Sequence, residues 1–441
     1  MKEQSKIPTS KVQRATKFVT TGAKIGGNYL KHYGKKVLTG DSDRAELDKS
    51  NAEDIYESLS NLKGSALKMA QMLSMDKNIL PDAYQNKFMM AQYSAPPLSF
   101  PLVVKTFKKY FEKGPLDIFD TFTSSAVNAA SMGQVHKATL DGKDLAVKVQ
   151  YPGVGESVSS DIKMVKPIAL RMFNLNNLDV DSYFAEIEER LLEETDYELE
   201  LKHSQEISKA ADHIDGVFFP KYYPEYSSKM VITMDWLKGQ HLNEFVNQNI
   251  SQETRNLIGQ RLWDFYEFQV HELRTVHADP HPGNFLFRED GSIGIIDFGC
   301  VKVIPDEYYY SYFEIVRGGA LKTGGRLEEL FKQLYFIYED DSEEDKEFYM
   351  DLFKETLELL TQPYYQDEFD FSDDSFFKKI YATGEMLSKS EKLRKSKRPR
   401  GSHHAIYLNR TYFGLYNMLN SIGAKINTKN QFLKSKAQVV E

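Results

Sequence analysis

The hydrophobic positions Ile55, Leu59, Leu62, Ala66, Met69 and Leu73 recur at spacings of four and three. That repeat is one face of an amphipathic helix, and it predicts a single helix over residues 54–73. A further helix is expected after Pro81 and another over 103–111, with a proline-rich break at 95–101 between them, so the first 120 residues read as mostly helical. The pattern changes at 135–140 and 143–149, two strand-like runs flanking Asp141-Gly142, the kind of two-residue turn that closes a β-hairpin. Helical periodicity returns over about 161–210, followed by short strands at 217–222 and 229–235 and by helix up to Leu273. A second hairpin is expected from 285–287 and 293–296 around Glu289-Asp290-Gly291, and everything beyond about Asp306 reads as helical.

Composition adds bounds. The chain has 441 residues, 41% hydrophobic and 27% charged, which is ordinary globular usage and rules out a wholly disordered or collagenous chain. The net charge of −8 supplies no general attraction to nucleic acid, because such affinity comes from an excess of Lys and Arg. Residues 1–37 run against this balance, with nine Lys or Arg facing only Glu3, a net of +8. They read either as a solvated arm or as a membrane-surface or partner-binding segment with Phe18, Val19, Ile25 and Leu30 as its apolar side. An acidic patch at 339–347 and a basic one at 389–400 stand out further on. The single cysteine, Cys300, has no internal disulfide partner, and no secretory signal opens the sequence. The longest charge-free stretch, 88–104, is interrupted by three prolines and is too short to span a bilayer. The expectation is a cytoplasmic protein whose membrane association, on the inner face, is peripheral.

The chemistry concentrates in His277-Ala278-Asp279-Pro280-His281-Pro282-Gly283-Asn284 and, past a hairpin, Asp297-Phe298-Gly299. Phosphoryl transfer needs a carboxylate near the acceptor oxygen, a metal ligand beside it and a second carboxylate holding Mg²⁺ on the phosphates. Asp279 with Asn284 five residues later matches the H-x-D-x-x-x-x-N loop, and Asp297 matches the D-F-G metal ligand. A rival reading takes His277, Asp279 and His281 as a zinc cluster; the downstream D-F-G favours a fixed catalytic loop with His277 as a structural group. Upstream, Lys148 lies on the second strand of the first hairpin, where a kinase-like fold carries the lysine that holds the α and β phosphates. It needs a helical carboxylate to orient it, and the run 193–200 offers several. No G-x-G-x-x-G precedes it; Asn128-Ala129-Ala130-Ser131-Met132-Gly133-Gln134 stands there instead. Alanine restricts positive φ, so this nucleotide loop is expected to be stiffer than a glycine-rich one.

Over roughly residues 50–305 the chain resembles the UbiB or AarF-like family of atypical kinase-like proteins associated with quinone biosynthesis. The resemblance rests on Lys68-Met69-Ala70-Gln71 (K-x-G-Q in the family), Asn128 to Ser131 (A-A-A-S), Lys148, Glu194-Thr195-Asp196 with Glu200, Asp279 to Asn284, and Asp297-Phe298-Gly299. Ala70 and Asn128 depart from the family's glycine and alanine. The resemblance implies that Glu200 pairs with Lys148 and that Lys68 and Gln71 project into the active site from an N-terminal extension, with Lys68 meeting Glu194. That extension resembles a built-in lid that blocks protein substrates.

The expected fold is an α+β, protein-kinase-like, two-lobed architecture with a helical extension over the active site. Its parts are a basic arm at 1–40, the extension at 41–120, a small lobe at 121–238 and a helical large lobe at 239–441. The expected function is Mg²⁺-dependent ATP binding, with ATP hydrolysis or phosphoryl transfer serving isoprenoid-quinone or related lipid metabolism; a prenylated quinone precursor or lipid and an anionic membrane surface are the expected partners. Asp279 serves the acceptor, Asn284 and Asp297 hold metal, Lys148 holds phosphates, and residues 128–131 line the nucleotide. The alternatives are a non-catalytic nucleotide-gated scaffold for membrane biosynthetic enzymes and a small-molecule kinase of the aminoglycoside or choline type. Acceptor and oligomeric state are left open.

Overall fold

The computed structural model describes residues 11–39, 44–62, 64–75, 84, 87, 97–129, 132–173, 180–317, 320–394, 396 and 398–429. Of the helix expected after Pro81, Tyr84 and Lys87 are described and helical, and the rest falls outside the described residues. The chain divides into two compact units, one of residues 1–202 with 221–236 and one of residues 203–220 with 237–441. Helices and sheets mix in the α+β manner, and residues 203–220, read above with the small lobe, pack in the second unit.

The first unit begins with helices α1 (Lys11–Thr39), α2 (Arg44–Leu62) and α3 (Ser65–Met75). The single helix expected over 54–73 is therefore broken. Gly64 has φ of +62°, and a Cβ there would lie 2.7 Å from a Val154 methyl, so the chain turns at a position only glycine fills without strain. The hydrophobic repeat runs through the break because Leu59, Leu62, Ala66 and Met69 all enter one cluster with Val158, Phe184 and Leu191. Residues 11–39 of the basic arm form α1. It buries Phe18 and Ile25 while leaving Val19 and Leu30, which were read on the same apolar side, 72% and 77% exposed.

After α4 (Phe100–Phe111) come the two-residue strands β1 (Thr121–Phe122) and β2 (Asn128–Ala129), then β3 (Gly133–Leu140) and β4 (Lys143–Gln150). Asp141 and Gly142 both take positive φ, as a type I′ turn requires. Helices α5 (Val154–Phe173), α6 (Val180–Glu194) and α7 (Tyr197–Ala210) follow. The strand expected over 217–222 shortens to β5 (Val217–Phe218), and that over 229–235 to β6 (Val231–Asp235). The antiparallel order is β1-β3-β4-β6 with β2 on β3, so β4 lies between β3 and β6 and is not an edge.

In the second unit β5 pairs in parallel with β9 (Ile293–Ile295), which pairs with β8 (Phe285–Phe287) in the expected hairpin. Helices α8 (Leu242–Val246) and α9 (Gln252–Phe268) lead through a π turn, Gln269–Leu273, into β7 (Thr275–His277), which pairs with β10 (Val301–Val303). A core around Trp263, Tyr266, Phe313, Leu415 and Tyr416 organises the helices beyond. That region is not wholly helical, because β11 (Glu368–Asp370) and β12 (Lys425–Asn427) pair there, with Phe369 and Ile426 buried opposite each other. The acidic and basic patches are spent on each other: Arg398 pairs with Asp340 at 2.5 Å, Arg400 with Asp341 at 2.5 Å and Lys392 with Asp345 at 2.8 Å. Both arginines also stand 4.9 Å from the centre of the Tyr338 ring.

Candidate functional site

Lys148 lies at the middle of β4, opposite Val135 on one side and Ile232 on the other. Its Nζ donates to both carboxylate oxygens of Glu200, at 2.7 and 2.9 Å, and lies 5.0 Å from the centre of the Tyr197 ring. Glu200 is held on the first turn of α7, whose start is capped by Asp196 accepting from the Leu199 amide at 3.0 Å. From the acidic run, Glu200 and Glu194 make ion pairs with the two lysines singled out in sequence. Glu194 ends α6 and takes Lys68, from α3, at 2.9 Å. Both members of that pair are partly shielded, at 24% and 18% exposed, so water weakens it less than a surface pair.

Ala70, in place of the family glycine, is buried in the helical cluster, so its methyl is accommodated by packing. Gln71 lies on α3; its side chain is outside the described atoms. Asn128 and Ala129 form β2 against Val135 and Gln134, while Ala130 and Ser131 lie outside the described residues. Gly133 is required where it stands, because a Cβ would lie 2.7 Å from both the Tyr197 hydroxyl and the Val149 carbonyl.

In the second unit two backbone bonds tie the loop of Asp279 to the segment of Asp297. Ala278 N donates to Cys300 O at 2.9 Å and Ile296 N to Asn284 O at 3.1 Å. The Asn284 side-chain amide nitrogen donates to Asp279 O at 3.0 Å, so it is the amide oxygen that could serve as a cation ligand. Asp297 accepts from the Gly299 amide at 2.8 Å, and Phe298 is fully buried with its ring 5.5 Å from that of His277. Two carboxylates and an amide oxygen are hard donors suited to Mg²⁺. The zinc reading finds no support: His277 contacts Tyr266, His281 Nδ1 accepts from Gly283, and no group of three or more His, Cys, Asp or Glu able to hold a metal occurs among the described residues.

His277 is buried, and burial pushes it below the ordinary histidine value of 6.5 although the charges of Asp279 and Asp297 pull the other way. Burial also raises Tyr266 well above its usual value, with Asp279 adding to the effect. The unfolded chain protonates this histidine first as pH falls, so its contribution to stability is present above 6.5 and lost below it. Between about pH 7 and pH 5 the wild type is expected to lose more thermal stability than His277→Phe; equal losses would show that the folded state accepts the proton.

Sequence reasoning missed Gln269. Its buried side chain accepts from the His277 amide at 2.9 Å and so fixes the start of the loop. A glutamine in a helical run carries no signal of this, because the π turn that aims it is set by tertiary packing.

A family model described as the ABC1 atypical kinase-like domain matches residues 90–324, more than half of the sequence. The chain belongs to that family. ABC1-family relatives extend over most of it: the atypical kinase COQ8, mitochondrial, of Saccharomyces cerevisiae is 26% identical over 98% of this chain and 85% of its own. The probable serine/threonine-protein kinase abkA of Dictyostelium discoideum is 27% identical over 81% and 67%. Among solved structures, Rv3197 of Mycobacterium tuberculosis, determined with erythromycin, matches with a TM-score of 0.57 and 26% identity over 87% of this chain and 95% of that one. The fold is thus the kinase-like fold of the ABC1 family. Among the described residues no helix is long and apolar enough to cross a membrane.

Proposed function

We propose that this protein is a Mg²⁺-dependent, ATP-binding atypical kinase, acting as an ATPase or phosphotransferase in support of isoprenoid-quinone or related lipid metabolism. The observation that carries the reading is the tying of the Asp279–Asn284 loop to the D-F-G segment by two backbone bonds, since phosphoryl transfer needs its carboxylates held in fixed relation. Asp279 orients or deprotonates the acceptor, Asn284 and Asp297 hold the metal, and Lys148, oriented by Glu200, holds the α and β phosphates. Bound Mg²⁺ supplies neutralisation of phosphate charge. Residues 128–131 line the nucleotide, and Lys68, Gln71 and Glu194 regulate the site. In this reading the arm, extension, small lobe and large lobe are residues 1–40, 41–120, 121–238 and 239–441.

The test is ATP turnover by the purified protein with Mg²⁺, with and without anionic liposomes and prenylated phenols. Stimulation by the phenols supports the quinone reading; Mg²⁺-dependent ATP binding without any turnover sinks the enzyme reading and leaves a nucleotide-gated scaffold, and a lack of ATP binding sinks both.

The membrane surface falls to α1. Lys392, Arg398 and Arg400 of the basic patch are paired with acidic residues, whereas Val12, Val19, Leu30 and Lys31 stand exposed on α1. Co-sedimentation with anionic liposomes is expected to weaken with salt and in Val19→Ser, Leu30→Ser, Lys31→Glu, each basic residue near such a surface contributing about 1 kcal/mol. Binding indifferent to both changes would remove α1 from that role.

A further inference from the structure

We infer that Arg14 is a positioning residue for Lys68, so that α1 acts as a strut setting the helix that carries the regulatory lysine; the inference rests on the reading of Lys68 above. Arg14 is only 2% exposed, although it belongs to the most basic stretch of the chain. Its guanidinium takes Asp161 of α5 with both arms of the fork, Nε to Oδ1 at 2.8 Å and Nη2 to Oδ2 at 2.5 Å, and its Nη1 donates to the Leu62 carbonyl at 2.9 Å. Leu62 is the last residue of α2, just before the Gly64 elbow.

Asp161, itself fully buried, receives the hydroxyls of Ser157, at 3.1 Å, and of Ser65. Ser65 is the first residue of α3, and Lys68 follows within the same turn, its amide donating to Gly64 O at 3.1 Å. One buried ion pair therefore grips the end of α2, the elbow and the start of α3. Val154 packs against the elbow, so that a Cβ on Gly64 would meet its methyl at 2.7 Å. The direction and register of α3, and with them the reach of Lys68 towards Glu194, are set by what Arg14 and Asp161 hold.

A buried charge that loses its partner is costly, and lysine does not reproduce the planar two-armed contact of arginine. Arg14→Lys keeps the charge and removes the fork. It is expected to shift the dissociation constant for Mg²⁺-ATP in the same direction as Lys68→Ala, by roughly fivefold. In the Lys68→Ala background it should add nothing to that shift while still lowering the melting temperature, since a residue acting through Lys68 has nothing left to position. An equal shift with Lys68 already gone would overturn the inference, as would, where Lys68→Ala does shift nucleotide affinity, an Arg14→Lys variant with a lowered melting temperature and unchanged affinity. Should Arg14→Lys fail to fold, Arg14→Met with Asp161→Leu replaces the pair by apolar side chains, and the same shift is expected because Ser65 loses its acceptor. Amide exchange over residues 65–75 separates the two readings. Faster exchange in Arg14→Lys supports the strut even if Lys68→Ala leaves ATP binding unchanged, an outcome that would refute the regulatory reading alone; unchanged exchange overturns the strut.

Discussion

Asp297→Asn is expected to abolish Mg²⁺-dependent ATP turnover while leaving the fold intact. The substitution keeps an oxygen able to accept from the Gly299 amide, so the local turn has no reason to open. What it removes is a full negative charge at a site assigned to a divalent cation. The metal's contribution to stabilising phosphoryl charge is several kcal/mol, so turnover should fall by roughly a thousandfold. Mg²⁺-ATP affinity should fall with it, and the melting temperature of the ligand-free protein should stay close to that of the wild type. Undiminished ATP hydrolysis would sink the assignment of this residue, and with it the kinase-like reading of the loop tied to it through Ile296 and Asn284.

The motifs of this chain were legible because each is local. Asp279 and Asn284 are five residues apart, Asp297 follows one hairpin later, and the hairpin around Asp141-Gly142 announces itself by its turn. The hydrophobic repeat of α2 and α3 was equally plain, yet the break between them was not, because the reason for it is Val154, ninety residues away in sequence. The N-terminal segment shows the same limit. Nine basic residues in thirty-seven suggested a solvated or membrane-facing segment, and nothing local marks Arg14 as the one whose partner, Asp161, is supplied by a distant helix. The patches at 339–347 and 389–400 are visible as opposite charges, but only the fold shows that Lys392, Arg398 and Arg400 pair with Asp345, Asp340 and Asp341 across them. In each case the missing information was a long-range contact, to which periodicity and spacing are blind.

Glu267 is the other such residue, and its removal is expected to cause the largest loss of stability of any single substitution considered. It is 2% exposed on α9; its Oε1 accepts from the hydroxyls of Tyr364 at 2.8 Å and Tyr412 at 2.9 Å, and its Oε2 meets His271 Nε2 at 3.1 Å. His271 in turn contacts the Tyr309 hydroxyl at 2.8 Å, so one carboxyl group gathers side chains from four separate parts of the second unit. Glu267→Ala leaves buried polar groups without their acceptor and opens a cavity, costing about 3–5 kcal/mol. For a unit of this size that lowers the melting temperature by roughly 10 °C. Tyr412→Phe, which deletes one donor and leaves the rest of the cluster in place, should cost only about 1 kcal/mol. Similar small losses for both variants would mean that the cluster relaxes freely and Glu267 is no hub. The functional consequence follows from the chain path. Glu267 and Gln269 lie two residues apart where α9 passes into the π turn, and Gln269 holds the His277 amide at the head of the loop that carries Asp279. Loosening the first should therefore blur the placement of Asp279, so Glu267→Gln, which keeps shape but turns one acceptor into a donor, is expected to lower turnover more than it lowers nucleotide affinity.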